Sequence, residues 1–261
     1  MKSSILVVLL FPTILLAQTP FDGTWVAKLD SVHFPQRPEV YLLQDGTYQC
    51  TTCVPKIKVK ADGKDYPVAG SPYFSSVAVQ VMSNNDINII EKHMDKVVYT
   101  ETDTVSADGN TLTEKIIDSC TPNREPVTGE ETFKRVSAGP AGASPISGAW
   151  QVQSVKDVSE SGITVTYDST KDGLKASNHN GEGYFAKFDG KQYPIQGAPA
   201  HNMVSLKRVQ ANTIVEIDKI DGQVHYILRM TVMADGQTMK VTETDMERGT
   251  MTVYTMEKKS N

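Results

Sequence analysis

The chain contains the same sequence pattern twice. Residues 45–115 align without a gap with residues 172–242, so that each residue has a counterpart 127 positions later. Identical pairs include Asp62-Gly63-Lys64 with Asp189-Gly190-Lys191. A repeat of this size predicts two domains of one fold, each large enough to bury a core. Positions that differ between the copies are then the ones that the shared fold does not require.

The limits of the two copies follow from a tract of small residues between them. Residues 137–145 are Ser, Ala, Gly and Pro with no large apolar side chain, which is typical of a linker. We therefore predict one domain at residues 21–136 and a second at residues 146–259. A linker this short requires the two domains to lie close together.

Residues 1–17 have the pattern of a cleaved signal peptide. Lys2 supplies the positive charge, residues 5–16 are almost wholly apolar, and Ala17 is the small residue expected before a cleavage site. The apolar run is too short to span a bilayer. We expect cleavage after Ala17, a mature chain without an integral membrane segment, and a secreted or periplasmic location.

The charge of the chain argues against nucleic acid as a partner. The formal net charge is −5, and the sequence contains no stripe of clustered basic residues. Nucleic-acid-binding surfaces need clustered Lys and Arg to neutralise phosphates. The sequence leaves the oligomeric state open.

Each copy has the sequence pattern of short β-strands. Val77, Val79 and Val81 alternate with other side chains, a period-two pattern that indicates half-buried strands. Asp-Gly pairs at residues 45–46 and 108–109 recur in the second copy, and Asp-Gly is typical of tight hairpin turns. Long helical patterns are absent. The sequence therefore predicts an all-β fold.

Both copies resemble the calycin group, which includes lipocalins and fatty-acid-binding proteins. The resemblance lies in Gly23-Thr24-Trp25 and Gly148-Ala149-Trp150, each of which starts the first strand of its copy, and in a basic residue on each last strand. In that group the Trp closes one barrel end and the basic side chain packs across it. The resemblance implies that Trp25 pairs with Lys134 or Arg135, and that Trp150 pairs with Lys258.

The same resemblance implies the architecture. It predicts two tandem antiparallel lipocalin-like β-barrels of about eight strands each. The tandem layout is similar to that of secreted bacterial lipocalin-like proteins.

All three cysteines lie in the first copy, so the shared fold does not need them. A structural disulfide is the preferred interpretation of Cys50, Cys53 and Cys120, because an exported protein reaches an oxidising compartment. A bond from Cys120 to either of the others would close a long loop, whereas Cys50–Cys53 would close a tight one. Redox use of the Cys-x-x-Cys pair, a thiolate metal site and free thiols are the alternatives.

Motifs for catalysis, cofactors and metals are absent from the sequence. There is no His-Glu-x-x-His, no Gly-x-Ser-x-Gly and no phosphate-binding glycine loop. We expect no enzyme, no cofactor and no metal site. Redox use of Cys50 and Cys53 is the one enzymatic candidate.

One predicted strand, around residues 97–105, differs in chemistry between the copies. The corresponding residues on one face are Tyr99, Glu101, Asp103 and Val105 in the first copy and Tyr226, Leu228, Met230 and Val232 in the second. If this face lines a barrel, the second copy has an apolar lining and the first has two carboxylates, which need a cavity filled with water or ligand. If the register differs, Glu101 and Asp103 lie in solvent, and from sequence alone we prefer this interpretation.

Two functions of different classes follow from these observations. The resemblance implies an exported, non-enzymatic protein that binds a small apolar molecule inside a β-barrel, with the residues of the variable face as the candidate lumen. The alternative is a structural or protein-interaction module whose barrels are filled by side chains. A fold alone does not decide between them.

Overall fold

The computed structural model describes residues 19–121, 124–178, 181–198 and 200–260. The predicted signal peptide lies outside the described residues. No helix among the described residues has the length and apolar character needed to cross a membrane.

The described residues form twenty strands, one short α-helix and one turn of 3-10 helix at Leu29–Ser31. The strands of the first copy are β1 Gly23–Ala27, β2 Glu39–Gln44, β3 Thr47–Cys50, β4 Ile57–Lys60, β5 Tyr66–Pro67, β6 Ser76–Val81, β7 Asp86–His93, β8 Lys96–Val105, β9 Thr111–Asp118 and β10 Val127–Ala138. Those of the second copy are β11 Gly148–Lys156, β12 Thr164–Ser169, β13 Gly173–Asn178, β14 Gly183–Lys187, β15 Tyr193–Pro194, β16 Asn202–Gln210, β17 Thr213–Ile220, β18 Gln223–Val232, β19 Thr238–Asp245 and β20 Thr250–Lys258. Helix α1, Glu160–Ile163, precedes β12.

The predicted hairpin turns are present. Gly46 ends the turn between β2 and β3 and Gly109 the turn between β8 and β9, with φ angles of 68° and 73°. Such positive φ angles are favourable for Gly and costly for most other residues, which explains the recurring Asp-Gly pairs.

The strands form two nearly closed antiparallel sheets of ten strands each. We call β2–β11 barrel 1 and β1 with β12–β20 barrel 2. The ends of the sheets approach each other, since the Gly63 amide donates to the Val79 carbonyl at 2.9 Å and the Gly190 amide to the Leu206 carbonyl at 3.1 Å. The predicted all-β fold with two tandem barrels is confirmed. The strand number is ten rather than about eight, because two-residue strands such as β5 and β15 are too short to show an alternation.

The two copies exchange their first strands. β1 pairs with β12 and β20 in barrel 2, and β11 pairs with β2 and β10 in barrel 1. Each barrel is therefore completed by a strand from the other copy.

The exchange changes where the chain passes between barrels. It crosses at residues 28–38 and again at residues 157–163, whereas residues 139–147 join the paired strands β10 and β11 within barrel 1. The predicted boundaries, residues 21–136 and 146–259, mark the repeat in sequence but do not coincide with the barrels. The tract at residues 137–145 ends β10 and forms most of a hairpin loop, and it does not connect the barrels.

Each Trp contacts the basic side chain that was predicted to pack across the other Trp. Lys258 lies 4.8 Å from the ring centroid of Trp25, and Arg135 lies 3.9 Å from that of Trp150. Both Trp side chains are fully buried. The expectation that Trp25 pairs with Lys134 or Arg135 and Trp150 with Lys258 was wrong, because the exchange carries each Trp into the barrel whose last strand belongs to the other copy.

One disulfide forms, between Cys50 and Cys53. Of the interpretations left open by the sequence, this is the structural disulfide that closes a tight loop. Cys50 is buried in the core of barrel 1. Cys120 is a free thiol, and burial raises its pKa, which makes it a poor nucleophile. Disulfides form and persist in oxidising compartments.

Cysteine pairs test the strand exchange directly. The hydroxyl oxygens of Thr24 and Thr166 lie 2.9 Å apart across β1 and β12. In a C120S background, we expect T24C/T166C to form a disulfide within one chain, seen by mass spectrometry of a non-reduced digest. The control is T24C/V40C, because Val40 pairs with Ala149, the counterpart of Thr24. A bond only in the control pair would contradict the exchange.

Candidate ligand cavity and acidic cluster

Barrel 1 contains a cavity of about 590 Å³ that opens toward barrel 2. Its apolar wall includes Phe34, Ile57, Phe74, Ile89, Phe133 and Val152. Its carboxylates from barrel 1 are Glu39, Glu91, Glu101, Glu114 and Glu131. The cavity is therefore both aromatic and strongly acidic.

Barrel 2 covers the mouth of this cavity with the hairpin between β19 and β20. Arg248 in that turn lies 3.2 Å from a carboxylate oxygen of Glu39, and its backbone carbonyl accepts a hydrogen bond from Arg37. Asp245 lies 3.8 Å from the Arg248 guanidinium and also lines the cavity. The site is built from both copies of the repeat.

Three carboxylates converge inside barrel 1. Asp103 on β8 pairs directly with Glu114 on β9, and Glu101 lies two residues from Asp103 on the same face of its strand. One carboxylate oxygen from each lies within 4.8 Å of the others. We call Glu101, Asp103 and Glu114 the acidic trio. Glu101 and Glu114 line the cavity, whereas Asp103 lies behind them and is fully buried.

Tyrosine hydroxyls donate hydrogen bonds to two members of the trio. The Tyr41 hydroxyl donates to Glu114 at 3.1 Å, and the Tyr99 hydroxyl donates to Glu101 at 2.9 Å. Neither oxygen of Asp103 has a donor among the described residues. No described Lys or Arg forms an ion pair with any member of the trio.

Burial dominates the electrostatics of the site. Loss of hydration raises the pKa of all three trio carboxyls, and their mutual repulsion raises those of Asp103 and Glu114 further. Burial and the neighbouring Glu101 raise the pKa of Glu91 to about 8. These carboxyls therefore favour a proton, or a positively charged partner, over the free ionised form.

The position of Asp103 overturns the preferred sequence interpretation, on which Glu101 and Asp103 lie in solvent. Both point into barrel 1, with Tyr99 on the same face. A β-bulge between β7 and β8, near Glu91, interrupts the inward–outward alternation of side chains along β8. Val97 is therefore 49% exposed, although its position in the sequence would place it on the same face as Glu101 and Asp103. The sequence alone does not reveal this bulge.

The barrel 2 residues that correspond to this face of β8 are largely part of the barrel 2 core. Met230 and Val232 are buried, and Leu228 packs against the same cluster. Tyr226 is 37% exposed and lines the cavity of barrel 1 instead.

The apolar lining expected for barrel 2 is interrupted by two carboxylates on β17, Glu216 and Asp218. Glu216 accepts a hydrogen bond from the Tyr184 hydroxyl, while one oxygen of Asp218 is buried without a donor. The sequence does not identify either as an interior residue, because only their register in β17 places them inside the barrel. The cavity beside them measures about 190 Å³.

Comparison with known proteins does not assign this site. Neither the protein-family models nor the curated proteins gave a match to the chain.

Asp218 provides a test of the buried acids by pH. Burial and the nearby Glu216 raise its pKa to about 9, against about 3.9 in an unfolded chain. Between these values the folded state holds the extra proton, so unfolding free energy falls as pH rises. We expect the melting temperature of the wild type to fall between pH 5 and pH 8.5, and that of D218N to fall less.

The control is D168N, which changes an exposed Asp on β12. Its melting curve should follow the wild-type pH dependence. If D218N and D168N respond identically to pH, Asp218 is not the buried acid that the structure shows.

Proposed function

We propose that the protein is an exported, non-enzymatic binding protein that holds one small molecule inside barrel 1. The cavity volume carries this proposal. Small-molecule sites measure about 300–1,000 Å³, a range that includes the cavity of barrel 1 at about 590 Å³ and excludes that of barrel 2 at about 190 Å³.

The walls of the cavity select for an amphipathic ligand. Phe34, Phe74 and Phe133 supply apolar surface, which favours a ligand with an apolar body. The carboxylates that line the same cavity favour polar groups on the ligand that carry hydrogen-bond donors, such as hydroxyl or amino groups. The sequence predicts a small apolar ligand inside a β-barrel, with lumen candidates from both copies; the acidic wall of barrel 1 adds polar groups to that ligand.

The alternative function, a barrel filled by its own side chains, describes barrel 2 better than barrel 1. Met230, Val232, Met239 and Val241 fill its interior. Barrel 2 also provides the hairpin with Arg248 that covers the cavity. We therefore assign ligand binding to barrel 1 and a structural, covering role to barrel 2.

Two observations support export. The N-terminal residues have the charge and apolar pattern of a signal peptide. The Cys50–Cys53 disulfide fits the oxidising compartment that such a signal leads to.

A fluorescent probe with two aromatic groups and one N–H donor, N-phenyl-1-naphthylamine, tests binding in the cavity. We expect saturable fluorescence enhancement with one site per chain. V152F places a large ring in the cavity wall and should weaken binding by about tenfold, the equivalent of about 1.4 kcal/mol.

The matched control is A27F. Ala27 pairs with Met256 in barrel 2 as Val152 pairs with Phe133 in barrel 1. A27F should bind the probe as the wild type does. Equal loss in both variants, or no saturable binding by a folded wild type, would contradict the assignment to barrel 1.

A further inference from the structure

We propose that the acidic trio, Glu101, Asp103 and Glu114, is a binding site for a divalent cation of the calcium type. The site lies where the wall of the cavity meets the core of barrel 1. It does not depend on the ligand proposed above, because the cation needs only the trio and water.

The spacing of the three carboxylates fits such an ion. Their oxygens lie within 4.8 Å of one another. Calcium binds oxygen at about 2.3–2.6 Å, so two oxygens on opposite sides of the ion lie about 5 Å apart. Three carboxylates offer up to about six oxygens, and water from the cavity can complete the shell.

Asp103 provides a second and independent indication of a ligand. It is fully buried, and in its ionised form neither of its oxygens has a hydrogen-bond donor. Its carboxyl lies within hydrogen-bond reach of the Glu101 carboxyl, so without an ion the two would have to share a proton. A buried carboxylate without a partner is costly, and native proteins satisfy such groups with hydrogen bonds, ion pairs or metals. A cation bound by the trio would supply the positively charged partner that both oxygens of Asp103 lack.

The second copy shows that the fold does not need these carboxylates. The counterparts of the trio are Leu228, Met230 and Val241, which pack in the core of barrel 2. The cross-strand pair Asp103–Glu114 corresponds to the pair Met230–Val241 at the same register. Barrel 1 therefore has acids at positions where the fold shared by both copies accepts apolar side chains.

The surroundings of the trio are those of a cation site. The Tyr41 and Tyr99 hydroxyls donate to Glu114 and Glu101, which orients both carboxylates as outer-shell partners do in metal sites. The cavity gives an ion access from solvent to Glu101 and Glu114. All three side chains are carboxylates, with no His or Cys among them. Oxygen-only ligands favour calcium or magnesium over zinc or copper.

Calcium titration of the full-length mature chain, first stripped with EDTA, tests the proposal at pH 7.5. We expect isothermal titration calorimetry to show one saturable calcium site and a melting temperature that rises with calcium concentration. Titration should extend to about 5 mM, beyond the roughly 1 mM upper limit for calcium modules outside cells. Magnesium should bind more weakly, because it demands stricter octahedral geometry.

Two variants locate the ion. D103N keeps the shape of the side chain but removes its charge, and it should weaken calcium binding by at least about tenfold. The triple variant E101L/D103M/E114V reproduces the pattern of barrel 2 and should abolish the site. D218N changes the buried acid of barrel 2 and should bind calcium as the wild type does. Terbium gives a second readout, because Tyr41 and Tyr99 are close enough to the trio to sensitise its luminescence.

The outcomes separate this inference from the proposed function. Probe binding without saturable calcium binding would overturn the cation site and leave the ligand cavity standing. Calcium binding unchanged in the folded triple variant would also overturn it, because the ion would then lie elsewhere. Calcium binding lost in D103N, together with no probe binding by the wild type, would support the cation site and contradict the ligand.

Discussion

The rest of the structure depends on the exchange of first strands between the two copies. Without β11, strands β2 and β10 would each present an unpaired edge, and barrel 2 would have the same defect without β1. Exposed edges of this kind pair with other chains and aggregate. The exchanged strands also carry Trp25 and Trp150, the largest fully buried side chains in the two cores. Neither barrel can therefore close its sheet or complete its core without the other copy.

This mutual completion explains how one repeat can cover the site of the other. The chain crosses twice between the barrels, and the first crossing segment continues along β20, where the His33 amide donates to the Val253 carbonyl. That pairing holds barrel 2 against the mouth of barrel 1, where Arg248 contacts Glu39. The cavity thus has a wall from one barrel and a cover from the other. A single copy of the repeat would have neither the closed barrel nor the cover.

The sequence predicts the parts of this structure that arise from local patterns. Alternating valines and Asp-Gly turns identify strands and hairpins because each pattern acts over a few residues. The exchange cannot be predicted in this way, since the Gly-x-Trp strands of the two copies carry the same signal and fit either barrel. The orientation of Glu101 and Asp103 was misjudged because burying two carboxylates without ion-pair partners is costly, which made a solvent-facing register the preferred interpretation. The bulge that turns Val97 outward arises from pairing with β7 and is equally hidden from a local pattern. Glu216 and Asp218 were visible in the sequence, but only their register in β17 places them inside a barrel.

The clusters of buried acids in the two barrels differ in size, and they differ in the protons or ions needed to neutralise them. Glu101 pairs across strands with Ile89, and the equivalent pair in barrel 2 is Leu228 with Glu216, so the acid has changed strand while its partner stayed apolar. In barrel 2 the two acids Glu216 and Asp218 can be accommodated by proton uptake together with the Tyr184 hydroxyl. Glu114 adds a third acid to barrel 1, where the counterpart in barrel 2 is Val241. Full neutralisation of three carboxylates within 4.8 Å of one another takes three protons, or one proton together with one divalent ion. The divalent ion proposed for barrel 1 would contact all three carboxylates at once, whereas the two acids of barrel 2 need only protons.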